Sequence, residues 1–164
     1  MSDPVTAGAQ EDDPLLLDLQ VCFPLYAATN LLNRLYGPVL AELGLTYPQY
    51  LVMLVLWERS EQTVGALCAR LYLDSGTLSP LLKRMETAGL VKRQRDPADE
   101  RRVVVMLTER GRALRERALH VPATMSGGYH PEGVNELRES VRNLVSALAQ
   151  HAAAPRPKND GTST

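Results

Sequence analysis

The chain has 164 residues, 45% of them hydrophobic, with 18 basic side chains against 19 acidic ones and a net charge of −1. That suffices for one domain burying roughly two-thirds of its unfolded surface, and the balanced charge gives the whole molecule no bulk attraction for nucleic acid or membranes. The start, MSDPVTAGAQEDDP, has neither a basic segment nor an apolar one, and the longest apolar run, LVMLVLW at 51–57, is too short for a bilayer, so a cytoplasmic protein without membrane contact is expected.

The charge is unevenly placed. Residues 1–59 carry 2 basic and 7 acidic side chains, 60–117 carry 12 and 8, and 118–164 carry 4 and 4. A locally positive middle third on a slightly acidic scaffold is the footprint of a DNA-facing module, and equally of a solvated charged face. Cys22 and Cys68 form no CxxC pair, and the three scattered histidines add no ligand spacing, so neither a metal nor a cofactor is expected. In a reducing compartment both cysteines stay thiols.

Residues 1–13 and 152–164 read as polar, Pro/Gly-punctuated, disordered tails around a domain at 14–151. A first helix can be drawn from Pro14 to Leu43, stopping at Gly44, and a second from Pro48 through Trp57. A third spans Thr63 to Leu71, where Val64, Leu67, Cys68 and Leu71 form one apolar stripe, so Cys68 is read as a packing residue. A fourth starts at the N-cap residue Asp74, runs to Thr87 and is closed by Gly89. Residues 90–108 then change period: two extended segments flank Asp96-Pro97-Ala98-Asp99, and the Val103–Val105 run favours a strand, giving a hairpin. Thr108 caps a fifth helix carrying Arg110, Arg112, Arg115 and Arg117. A last helix, Pro131 to Gln150, sets Val134, Leu137, Val141, Leu144 and Leu148 at alternating three- and four-residue steps, a seam that suits a partner helix or packing within the chain.

Short helix, tight turn, second helix and basic hairpin is the order of a winged helix-turn-helix, here set in a mainly α frame with one small β-hairpin. Residues 48–107 make the DNA-binding part, and 14–47 with 108–151 make dimerisation helices. In the fourth helix Leu78, Leu81, Leu82 and Met85 cluster on one side. Gly76, Pro80, Lys83, Arg84 and Thr87 therefore point away, with Thr77 and Ser79 on the flanks and no acid on that face. Small hydroxyl residues near its start can approach base edges and phosphates, and Lys83 and Arg84 can neutralise backbone charge. Arg101 and Arg102 at the hairpin tip suit the minor groove, with Asp99 and Glu100 expected to hold them by ion pairing.

The stretch YLDSGTLSPLLKRME followed by DERRV resembles the MarR family of dimeric winged-helix repressors. QVCFPLYAA, LYGPVLAELGLTYPQYLVMLVLWE and LYLDSGTLSPLLKRMETAGLVKR narrow the resemblance to the organic-hydroperoxide-sensing repressors (OhrR), across about residues 14–150. The resemblance implies that Cys22 is the redox sensor, that Tyr36 and Tyr47 hydrogen-bond it, and that Asp74, Ser75, Gly76, Thr77, Ser79 and the wing's Arg101 face operator DNA. It implies a repressor of a hydroperoxide-detoxifying gene, released when its cysteine is oxidised. Some relatives carry a second, late cysteine that forms a disulfide with the partner's sensor. TMSGGYHPEG at 124–133 has none, so the chain resembles the single-cysteine type, in which a small thiol or backbone attack completes the switch. Pro24 departs from the non-proline residue usual in the family. As proline is tolerated only in a first turn, a new helix is expected to begin near Phe23, leaving Cys22 beside its start.

A geometric condition follows. Were 22–36 one straight helix, Cys22 and Tyr36 would lie roughly 21 Å apart along the axis, so a Tyr36 partner for Cys22 must come from a second subunit. Thiolate chemistry at a site with an ordinary pKa of roughly 8.5 also needs stabilisation, and Asp18, one turn before Cys22, opposes it. Phenol hydroxyls or helix-start amides must supply it. Two other readings compete: a MarR-type repressor binding a small aromatic ligand non-covalently, and a thiol peroxidase, for which no βαβ pattern speaks.

Overall fold

The computed structural model describes residues 13–125 and 131–153. Of the tails expected at 1–13 and 152–164, residues 1–12 and 154–164 lie outside the described residues, as do residues 126–130. The chain divides into two compact units at Met125.

The first helix departs from expectation at its start. Instead of running from Pro14, the chain makes a single 3-10 turn at Leu17–Leu19, and α1 spans Cys22–Ala41. Pro24 sits third in the helix, in the first turn, where its missing N–H forfeits no intrahelical bond, although the same helix accommodates Pro38 nearer its end. Before it, the Gln20 amide donates to the Pro14 and Leu16 carbonyls and ties the 3-10 turn down. The other end is closed by Gly44 at φ +68°, with Gly44 N–H donating to Ala41 O and Leu45 N–H to Leu40 O, both at 3.0 Å.

Helix α2, Tyr47–Glu58, begins with a capping box in which the Gln49 side chain accepts from Thr46 N–H at 2.8 Å. Strand β1, Glu61–Thr63, is unexpected, since three polar residues show no alternation. Helices α3, Val64–Leu71, and α4, Ser75–Thr87, follow, with Thr63 and Asp74 as N-caps. The turn between them passes through Tyr72 in the left-handed region. Strands β2, Val91–Asp96, and β3, Asp99–Leu107, form the expected hairpin, and β1 pairs with the outer edge of β3 to give the order β1-β3-β2. Helix α5, Glu109–Ala118, is capped by Thr108, and a separate short helix α6, His120–Met125, was not anticipated. Pro122 has no N–H to offer the Ala118 carbonyl, which breaks the two apart.

One apolar core joins these elements. Leu40, Met53, Leu56, Leu67, Leu82 and Val105 are fully buried within it, and Cys68 packs against its edge as the stripe predicted. Helix α1 buries Leu40 fully and packs Tyr36 and Val39 against the core, while Val21 and Tyr26 are 70% and 68% exposed, and Leu31 and Leu35 also face outward.

The second unit contains α7, Pro131–Ala153, so Ala152 and Ala153, expected in the tail, are helical. Along its seam Leu137, Val141 and Leu148 are exposed, and Arg142 pairs with Glu139 at 2.8 Å on the polar side.

The tightest joint of the first unit is at Gly111. A Cβ there would overlap the Leu90 carbonyl, because the α5 backbone runs directly against the end of α4. Trp57 of α2 reaches the same residue, its Nε1–H donating to Gly111 O at 3.0 Å. Gly111→Ala is therefore expected to lower stability by about 1–3 kcal/mol, the range of an overpacked core. Gly65→Ala, in open space on α3, should be neutral or slightly stabilising. Urea midpoints check both, and equal midpoints for the two variants would contradict the close approach.

Candidate nucleic-acid interface and redox site

The start of α4 is built by its own side chains. Asp74 Oδ1 accepts from Thr77 N–H at 2.7 Å and Oδ2 from the Thr77 hydroxyl at 2.8 Å. The Thr77 backbone bond, then its hydroxyl, hold the Asp74 carboxyl below its ordinary value. Gly76 keeps this cap compact, since a Cβ would stand 3.0 Å from Asp74 Oδ1. Both Asp74 oxygens thus serve the helix start, whereas Ser75, Gly76, Thr77 and Ser79 lie on exposed surface and Lys83 and Arg84 extend it along the same helix. The inward face is Leu78, Leu81, Leu82 and Met85, all buried, as the helical period predicted.

The wing is fastened to this helix by a pair that sequence reading missed. Arg93 on β2 donates from Nε and Nη2 to Glu86 Oε2 at 3.0 and 2.7 Å, and its N–H donates to Glu86 Oε1 at 3.0 Å. Hydrogen bonding from Arg93 holds the Glu86 carboxyl below its ordinary value. Seven positions separate the partners, so only the turn at Gly89 brings them together. At the tip, Arg101 Nε and Nη2 fork onto Asp99 at 3.0 and 3.2 Å, which lowers the Asp99 carboxyl and raises the guanidinium. Asp99 thus orients Arg101 as expected, the Arg101 side chain staying 90% exposed, whereas the expected ion pairing through Glu100 is not among the salt bridges of the described residues. Arg93, Arg101 and Arg102 line a cleft of about 530 Å³ with Ser79 and the start of α3.

The redox residues fall in two places. Cys22 is the first residue of α1, exposed, beside exposed Val21, Phe23 and Tyr26. Tyr36 and Tyr47 meet at the other end of the helix, ring centroids 4.9 Å apart. With α1 continuous over Cys22–Ala41, fourteen residues put Cys22 and Tyr36 roughly 21 Å apart along the axis, so one chain brings the tyrosines together and leaves the cysteine out. The cluster is larger than expected. Tyr50 lies 6.1 Å from Tyr36 and Trp57 lies 6.3 Å from Tyr50, and the spacing of Tyr47, Tyr50 and Trp57 on one face of α2 was the available signal. Burial first, then the neighbouring Tyr36, raises Tyr47 above its ordinary value, and the same causes raise Tyr50. Tyr47 and Tyr50 therefore remain hydroxyl donors at neutral pH.

The cleft between α2 and α5, about 240 Å³ and lined by Tyr50, Trp57 and Arg115, falls below the roughly 300–1,000 Å³ of ordinary small-molecule sites, whereas the cleft beside the wing lies within that range. Among the described residues no helix is long and apolar enough to cross a membrane.

Comparison with known proteins agrees with this geometry. The family described as transcriptional regulator SarA/Rot matches residues 34–117. The chain is 44% identical over 140 residues to the organic hydroperoxide resistance transcriptional regulator of Bacillus subtilis, covering 84% of this chain and 95% of that one. It belongs to the MarR family of winged-helix transcriptional regulators. A second relative, the HTH-type transcriptional regulator TtmR of Methylorubrum extorquens, is 49% identical over 151 residues, 92% of this chain and 77% of that one. AbfR of Staphylococcus epidermidis, solved reduced and bound to DNA, superposes with a TM-score of 0.67 at 34% identity, covering 81% of this chain and 94% of that one. The protein is a DNA-binding regulator of transcription, similar to regulators of hydroperoxide resistance.

The Glu86–Arg93 pair carries a sign that can be tested. Because the folded Glu86 lies below its ordinary 4.5, its contribution is complete above that pH and is lost as pH falls through the lower, folded value. Glu86→Gln should therefore unfold at lower urea than the parent near neutrality, with the gap closing under acid conditions. A gap independent of pH would contradict the ionic pairing.

Proposed function

We propose that the protein is a homodimeric repressor that holds double-stranded operator DNA while Cys22 is reduced and releases it when an organic hydroperoxide oxidises Cys22. The Cys22 thiolate attacks one peroxide oxygen: the S–O bond forms, the O–O bond breaks, and the departing alkoxide takes a proton to leave as the alcohol. The resulting sulfenic acid condenses with a small cellular thiol, forming a mixed disulfide and water. One peroxide is consumed per chain, which makes the protein a sensor rather than an enzyme.

The observation that carries this reading is the placement of the thiol and the phenols at opposite ends of one exposed apolar rod. Two such rods crossing antiparallel about a two-fold axis set Cys22 of each chain against Tyr36 and Tyr47 of its partner, twice over. The phenol hydroxyls then stabilise the thiolate, and a polar adduct in that apolar seam disturbs the packing of the two DNA-reading halves. Exposed apolar side chains along α1 and the α7 seam favour a second copy as the covering surface. Recognition uses Ser75, Gly76, Thr77 and Ser79 toward bases, Lys83 and Arg84 toward phosphates, and Arg101 in the minor groove, with Asp74 shaping the helix start. Dimer and DNA match when the two α4 helices stand roughly 34–36 Å apart.

Cys22→Ser is expected to bind operator DNA with the parent's affinity and to stay bound in the presence of cumene hydroperoxide. The parent is released, with one added oxygen, or a thiol adduct, on the Cys22 peptide by mass spectrometry. A Cys22→Ser protein released as readily as the parent would overturn the reading. So would turnover of many peroxides per chain with a thiol reductant.

A further inference from the structure

Between the phenols and the DNA-reading helix runs an unbroken series of contacts through one side chain. Tyr47 packs on Tyr36 at 4.9 Å, Tyr36 on Tyr50 at 6.1 Å, and Tyr50 on the edge of Trp57 at 6.3 Å. From Trp57 the connection turns polar, Nε1–H donating to Gly111 O at 3.0 Å. Gly111 has no slack on its far side. A Cβ would overlap the Leu90 carbonyl, and its N–H is held by the Thr108 hydroxyl oxygen at 3.0 Å. That hydroxyl donates in turn to Gly89 O at 2.6 Å, and Thr108 N–H donates to Leu90 O at 3.1 Å. Gly89 and Leu90 close the C-terminus of α4 through their N–H bonds to Glu86 O and Met85 O.

We propose that Trp57 is the positioning residue that transmits the state of the sensor tyrosines to the recognition helix, by carrying a displacement of their rings to Gly111 and thence to the end of α4. The inference rests on the sensor reading above and adds the route within each chain. Contacting rings pass on a displacement because protein interiors have low compressibility, and Tyr50, 4% exposed, is the buried member of the column. The indole is the one part of the column with a directional bond, so a tilt of its plane moves or breaks the Gly111 contact. Tyr50 is held between Tyr36 and Trp57, and on the α5 side Tyr50 and Trp57 border the cleft described above.

Trp57 is the sole tryptophan of the chain, so its emission reports this joint directly. In the full-length parent titrated with cumene hydroperoxide, the indole emission is expected to shift in step with Cys22 oxidation and operator release. Trp57→Phe keeps a ring in the column and removes the N–H. Its reduced form should hold operator within about twofold of the parent, while the weakening on oxidation shrinks by about fivefold, with Cys22 modified to the same extent by mass spectrometry. Release of Trp57→Phe as complete as the parent's, or parent emission unchanged through full release, would overturn the relay and leave the sensor reading standing. Should Trp57→Phe lose operator binding when reduced, the parent's emission decides alone. A parent fully oxidised at Cys22 that keeps its operator would overturn the sensor reading, and the relay with it.

Discussion

A twenty-residue helix is a rod of about 30 Å, and a rod cannot bring its own ends together. Much of this protein's behaviour follows from that constraint. The thiol sits on the first turn of α1 and the phenols gather near the last, so chemistry requiring both is excluded within a single chain. In the proposed dimer a second chain crossing the first supplies what each lacks, twice over by two-fold symmetry. Sensing and dimerisation would then be one event, because the exposed apolar surface of α1 also carries the thiol.

The DNA-reading half is built on the opposite logic, with every joint closed locally. Asp74 caps α4 with its own neighbour Thr77, Glu86 ties the helix to the first wing strand, and Asp99 braces Arg101 at the tip. Such preorganisation ties the recognition helix to the wing. In the proposed switch, a small displacement at the sensor would become a change in the spacing of the two DNA-reading halves, the quantity to which a two-fold operator is most sensitive. Gly111 and Thr108 supply one of the contacts, beside the shared apolar core, that join these elements to the rest of the chain.

Much of this was legible before any coordinates. Asp74, Gly89 and the Leu78–Met85 stripe fixed α4 to the residue, because caps and a helical period are local signals. Pro24 correctly warned that the first helix starts late, against the simpler drawing from Pro14. What escaped was non-local or featureless. Strand β1 is three polar residues that become a strand only because β3 offers an edge. The Glu86–Arg93 pair depends on a reversal of direction at Gly89, and α6 exists because Pro122 interrupts a pattern that otherwise reads as continuous. The proposed roles of Cys22, Tyr36 and Tyr47 came from resemblance, and the fold adds that a single α1 holds the thiol and the phenols apart.

Whether two chains are needed can be measured directly by trapping. In a Cys68→Ser background, Tyr36→Cys places a thiol at the root of the lost ring, short of the phenol oxygen by the length of that ring, and leaves Cys22 as the only other sulfhydryl, so a short bismaleimide rather than a direct disulfide must join them. With a mixture of isotopically labelled and unlabelled protein treated with that bismaleimide, peptide mapping should find Cys22 of one chain joined to the introduced thiol of the other. The product should run as a covalent pair of 18.1 kDa chains on a denaturing gel. Formation of that crosslink within single chains only, or its absence where both thiols of the folded protein have reacted, would contradict a sensor assembled across two copies.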